Sequence, residues 1–229
     1  MKYTTLLIFS FLWTAAVNGQ KKNLAEEDHS LWHLLSTGTI SPDGHWYYYT
    51  LHYRSKDSVF VKGLHDNRSY TIPNSQYGNF SGDSRWFAAQ SVDSLILLDL
   101  QKSKKSALHD VEAFQFTDNG KLLVLQPDGA YKKLSVVTEG QREQIFDSIN
   151  CYNISKTNFT AFSRRINNQY TINVLDNLGV LQNTVTLPNT EGAIKKIVWD
   201  EHNTSILVYT KGSGSTDSGQ LFFIKKDTL

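Results

Sequence analysis

The sequence predicts an all-β protein, and three observations carry that prediction. Short runs rich in aromatic, β-branched and aliphatic residues recur along the chain. A polar turn of one design returns five times between such runs, at intervals of 40, 36, 38 and 45 residues. Helical periodicity is confined to one stretch near the start. A period near 40 built of strands alone marks a β-propeller, in which each repeat is one four-stranded blade that buries its faces by stacking on its neighbours.

In chain order, the first element lies outside that fold. "MKYTTLLIFSFLWTAAVNGQKK" carries one Lys, an apolar run from Leu6 to Val17, then small and polar residues. This is the layout of a secretory signal peptide over residues 1–19, with Val17 and Gly19 at the −3 and −1 positions for cleavage before Gln20. The run is shorter than the roughly 20 apolar residues a membrane span requires. No cysteine follows to carry a lipid, and no later window is apolar enough to cross a bilayer. The expectation is an exported protein, periplasmic or extracellular after cleavage near Gly19–Gln20. Residues 20–36 follow, with Leu24, Asp28 or His29, Leu31, Trp32 and Leu35 at helical spacing, which predicts a short amphipathic helix.

The blades come next. In "TISPDGHWYYYTL", residues 39–51, Pro42 presets φ for a turn, Asp43 suits the next position and Gly44 accepts positive φ. The same phase recurs at Phe80–Ser84, Phe116–Gly120, Ile154–Asn158 and Trp199–Asn203. Its last place holds Gly, Ser, Gly, Asn and Asn, mostly the types that best tolerate a left-handed backbone. An apolar strand follows each turn. Third and fourth strands read as "SVFVKGL" and "SYTIP", "SLILLDL" and "KKSAL", "YKKLSVV" and "REQIF", and "QYTINVLD" and "LQNTVTL". Blades are expected at about 37–76, 77–110, 111–146, 147–189 and 190–229, the last ending on a third strand, "QLFFIKKDTL". Either five blades close with a three-stranded last one, or the chain is the front of a longer, seven- or eight-bladed propeller; the longer parent is the expectation, since an unclosed stack exposes two apolar sheet faces.

Composition limits the function. The formal net charge is +1, so there is no electrostatic case for nucleic acid or an anionic membrane as partner. Cys151 is the single cysteine, which rules out an intramolecular disulfide. An exported chain without disulfides suits a bacterial envelope. His29 and His33 are four apart on the expected helix, but Ser30 breaks the His-Glu-x-x-His pattern of a zinc peptidase. His45, His52, His65, His109 and His202 fall mostly in turns or at strand edges. Asp43, Asp83 and Asp118 sit in the repeated turns, where bonding to the local backbone accounts for them better than calcium does. Lys102, Lys104 and Lys105 read as a solvated edge, and Trp46 to Tyr49 as packing between blades. Asn67, Asn79, Asn153, Asn158 and Asn203 begin glycosylation sequons, of consequence only in a eukaryote. Nothing here calls for a metal or a cofactor.

With its signal peptide, "QKKNLAEEDHSLWHLLSTGTISPDGHWYYYTL" resembles the start of secreted bacterial prolyl oligopeptidase-family serine peptidases. The resemblance rests on Leu24, Asp28 and Trp32 leading into Ser41-Pro42-Asp43-Gly44, and is strongest over residues 20 to 51. It implies a propeller that restricts access to an α/β-hydrolase domain, where a Ser-Asp-His triad cuts short peptides. The partners it implies are that hydrolase domain of the parent chain and a short peptide substrate.

The nucleophile of such a domain stands in a Gly-x-Ser-x-Gly elbow. The sequence holds none, and "KGSGSTDSG", residues 211–219, has other spacing and reads as a loop. No βαβ pattern provides a hydrolase sheet. No catalytic, cofactor or metal residue is therefore assigned, and the chain by itself is expected to be inactive. The competing reading is a non-catalytic exported propeller that binds a protein, peptide or glycan.

Overall fold

A computed structural model describes residues 33–53, 56–188, 192–212 and 219–225. The expected signal peptide, most of the expected helix, His29 and residues 213–218 of the expected loop lie outside them. The described residues form strands and turns, with no helix long and apolar enough to cross a membrane. The sheets belong to one compact unit that begins at Leu34.

Among the described residues, eighteen strands build four sheets, each with its strands in chain order. The first pairs β1 (His33–Ile40), β2 (Trp46–Tyr53), β3 (Asp57–Gly63) and β4 (Ser69–Pro73). The second pairs β5 (Ser75–Phe80), β6 (Trp86–Ser91), β7 (Ser94–Asp99) and β8 (Lys104–His109). The third has seven strands: β9 (Ala113–Phe116), β10 (Leu122–Asp128), β11 (Tyr131–Thr138), β12 (Gln141–Ile154), β13 (Thr160–Ile166), β14 (Gln169–Leu175) and β15 (Leu181–Thr186). The last holds β16 (Ala193–Trp199), β17 (Ser205–Lys211) and β18 (Gly219–Lys225).

Two features depart from the sequence expectation. His33 to Ser36, the end of the expected helix, belong to β1. Leu31 and Leu35 match a helical period, but β2 would have an unpaired edge without β1, and sheet pairing overrides local spacing. The expected strand "REQIF" is part of a much longer β12. Its first half pairs β11 and its second half pairs β13, with Ile149 opposite Lys132 on one side and Arg164 on the other. Ser148, at φ 56°, and the register shifts beside Ile149 bend the strand where it passes from one blade to the next.

Strand alternation gives each blade two apolar faces. Trp46, Val59, Val61 and Ile72 of the first sheet meet Phe87, Ala89, Leu98 and Leu100 of the second. The other face of the second, Trp86, Ala88, Leu95 and Leu97, meets Phe116, Leu122 and Val124. Leu123, Leu125 and Val136 meet Phe162 and Leu175. Tyr170, Ile172 and Val174 meet Ile197, Trp199, Ile206 and Val208. Each fully buried large side chain contributes roughly 1.5–3 kcal/mol, so these four seams hold the stack together.

Candidate functional site

The five turns share one geometry. The amide of the fourth residue donates to the carbonyl of the first: Gly44 to Ser41, Ser84 to Ser81, Gly120 to Thr117, Asn158 to Ser155 and Asn203 to Asp200, at 2.9–3.2 Å. All five fourth residues are left-handed, at φ 72°, 58°, 80°, 63° and 55°. The first residue's oxygen closes the turn from within: Ser41 Oγ donates to Asp43 Oδ1 at 2.5 Å and accepts from the Trp46 amide at 3.0 Å. Ser81 repeats the pattern.

Neighbouring turns are tied together. The Asp43 amide donates to Ser84 Oγ at 3.0 Å. Asp118 accepts from Asn158 Nδ2 at 2.6 Å and from Asn177 Nδ2 at 2.7 Å, so a side chain expected to serve its own turn binds the next blade instead.

Where the first and second turns meet, a groove of about 210 Å³ opens between the first two sheets. Asp43, His45, His65, Asp66, Arg68 and Asp83 supply its charge. Arg68 lies 4.5 Å from the Trp46 ring, donates to Asp66 at 2.7 Å and reaches the Leu100 carbonyl at 2.9 Å. His45 Nδ1 is 3.1 Å from Asp43 Oδ2, and its ring meets His65 edge-on at 5.5 Å. Burial alone would raise the Asp43 carboxyl. Hydrogen bonds from Ser41 and His45, with the imidazole alongside, outweigh it and hold the group below its ordinary value. Asp66 is lowered by the Arg68 amide and guanidinium. A guanidinium on an indole face between carboxylates can hold a small polar ligand.

A second groove, about 200 Å³, separates the second sheet from β11 and β12. Arg85 crosses beside it from Glu139 at 2.6 Å to the buried Asp99 at 3.4 Å. The hydrogen bond to Glu139 is the main reason that Arg85 is raised and Glu139 lowered.

The other side chains singled out in the sequence are dispersed. His33 lies in β1, His109 Nδ1 meets Ser94 Oγ at 3.1 Å, and His202 is exposed in the fifth turn. Lys105 ties the second sheet to the Thr71 carbonyl at 2.8 Å. Trp46 and Tyr48 face the seam with the second sheet, where Tyr48 is 5.1 Å from Phe87. Tyr47 and Tyr49 stack on the opposite face, Tyr49 also on Phe60 at 5.2 Å. Of the sequon asparagines, Asn67 and Asn79 are exposed and Asn203 is buried. Burial raises the Cys151 thiol. Among the described residues no group of three or more His, Cys, Asp or Glu is arranged to hold a metal ion.

One constellation was not anticipated. Ser36 Oγ lies 2.8 Å from His52 Nε2, and His52 Nδ1 lies 3.1 Å from Asp57 Oδ2. The β2–β3 register places His52 directly opposite Asp57, and Ser36 comes from β1. A His five residues before an Asp, between two apolar strand-like runs, is the available signal. The third member, Ser36, is out of reach of the sequence because its local spacing predicts a helix.

The chain matches no protein-family model and no curated protein. Solved structures do resemble it. Porphyromonas gingivalis dipeptidyl peptidase 4 aligns with a TM-score of 0.50 and 12% identity, over 85% of this chain and 38% of that one. The β-propeller domain of the trilobed protease from Pyrococcus furiosus gives 0.48 and 14%, over 85% and 69%. Pyrococcus horikoshii acylaminoacyl peptidase gives 0.46 and 12%, over 89% and 40%. The chain thus spans about two fifths of the length of the dipeptidyl and acylaminoacyl peptidases. At such identities the likeness speaks for the fold alone: the chain folds as a β-propeller, as its repeated turns and stacked sheets already indicate.

Proposed function

We propose that this chain is the propeller region of an exported serine peptidase of the prolyl oligopeptidase type. Its role is to admit short peptides, and to exclude folded proteins, at a hydrolase domain carried elsewhere in the parent polypeptide. The observation that carries this reading is the stretch from residue 20 to 51, in which a Leu24–Asp28–Trp32 pattern leads into the Ser41-Pro42-Asp43-Gly44 turn after a signal-like leader. The propeller fold supports it, since a ring of blades makes a sieve in front of a second domain. Fold does not carry function by itself, so the test addresses the gating role directly.

The parent polypeptide, purified from the exported fraction, should begin near Gln20 and cleave a fluorogenic Pro- or Ala-containing peptide while leaving folded proteins intact. Deletion of residues 37–229 should leave the hydrolase serine reactive to a fluorophosphonate and relax the size limit. A parent without a Gly-x-Ser-x-Gly serine, or a deletion that leaves size selectivity unchanged, refutes the proposal. The groove in which Arg68 lies on the Trp46 ring beside Asp66 favours a second reading, an exported propeller that binds a peptide, protein or glycan without cutting it. An open reading frame that stops at Leu229 would decide for it.

A further inference from the structure

We propose that Ser36, His52 and Asp57 form a nucleophilic centre on the first sheet that accepts small activated esters, separate from any hydrolase domain. Asp57 Oδ2, 3.1 Å from His52 Nδ1, selects the tautomer with hydrogen on Nδ1. Nε2 is then left as an acceptor, and the Ser36 hydroxyl, at 2.8 Å, donates to it. These are the three roles of a nucleophile, its base and the group that orients the base. Antiparallel pairing places the imidazole opposite the carboxylate, so the arrangement rests on strand register. The side chains of His52 and Asp57 are 32% and 18% exposed, buried enough to be held yet open to a small molecule.

In the reaction, Ser36 Oγ attacks the ester carbonyl carbon while its proton passes to His52 Nε2. The carbon–oxygen bond to the leaving group breaks, and the imidazolium returns that proton to the departing oxygen. Water then attacks the acyl group on Ser36, giving its proton to Nε2. The acid leaves and the Ser36 oxygen is reprotonated. Asp57 keeps its contact with Nδ1 and so holds the ring in place throughout. Ser36 lies within a paired strand and not on a strained elbow, so the substrate class is esters with good leaving groups and not peptide bonds.

The test uses the whole chain with a fluorophosphonate probe and p-nitrophenyl acetate, and the labelled peptide is identified by mass spectrometry. The probe is expected on Ser36, with p-nitrophenyl acetate competing, and Ser36→Ala should abolish it. His52→Ala should slow labelling about a hundredfold, with partial recovery on adding imidazole. Asp57→Asn should slow it about tenfold or more, and Asp57→Glu should restore part of the rate. A purely structural network would lower the melting temperature in these variants without any labelling of Ser36. Wild-type protein unlabelled at Ser36, or labelled equally in folded His52→Ala, overturns the proposal. Should a variant fail to fold, site-mapped labelling of the wild type decides. A label on a Gly-x-Ser-x-Gly serine of a longer parent would concern the gating reading alone.

Discussion

Gly44 and Gly120 fill one place in two copies of the same turn, yet their surroundings differ. Both are left-handed, at φ 72° and 80°. A Cβ on Gly44 would meet nothing within 4 Å, whereas one on Gly120 would stand 2.8 Å from the Asp83 carboxylate. That carboxylate is held by Ser81 Oγ and the Arg85 amide. Gly44→Ala should therefore cost only the backbone penalty, about 1 kcal/mol. Gly120→Ala should cost about 1–2 kcal/mol more, because Asp83 must leave its partners. Thermal melts of the two variants check the order, and equal losses would show that Asp83 is free to move. Asp43 in the first turn yields a pH prediction. Its folded pKa is depressed, so its stabilising contribution is present above the ordinary carboxylate value and fades as pH falls through the folded one. Asp43→Asn should lose less melting temperature than the wild type between about pH 5 and pH 2. These turns were legible in the sequence because Ser-Pro-Asp-Gly and its relatives state their backbone requirement locally. The bonds from Asp118 to Asn158 and Asn177 were not, since they depend on which blade stacks on which.

Among the elements, β12 shows where local reading stops. "REQIF" announced a strand, but nothing in its composition announced that it would continue to Ile154 and serve two blades. The bend is made at Ser148, a non-glycine residue at φ 56°. Ser148→Gly should be neutral or stabilising by up to about 1 kcal/mol, and Ser148→Val should cost about 1–2 kcal/mol, both read from denaturant midpoints. A Ser148→Val protein as stable as the wild type would mean that the bend is made elsewhere. β1 teaches the converse. Its Leu35 fits a helical period with Leu31, and the need of β2 for a partner wins. With that strand misassigned, the contact of Ser36 with His52 was out of reach of sequence reasoning, although His52 and Asp57 were five residues apart on a recognisable hairpin.

At the scale of the whole molecule, repetition made the fold readable: one turn at a period near 40 predicts stacked blades, and four apolar seams join them. The same repetition defines what lies uncovered. In every earlier blade, the face equivalent to Leu207 and Tyr209 is covered by the next blade. In the last one, Val198, Leu207, Tyr209, Leu221 and Phe223 share an open face, with Leu221 66% and Phe223 63% exposed. Ile206, Val208 and Ile224, on the opposite face of the same strands, are buried in the seam. A contiguous apolar face of this kind drives association in water. Leu207→Lys with Phe223→Lys should therefore lower light scattering of the concentrated chain while shifting its melting temperature by no more than a surface change does, within about ±0.5 kcal/mol. Ile206→Lys, one residue away, places an unpaired charge in the seam and should cost on the order of 3–5 kcal/mol, enough to unfold the last sheet. If the double variant melts as low as Ile206→Lys, the outer face is packed against protein, and the side chains described as exposed there belong to a buried seam.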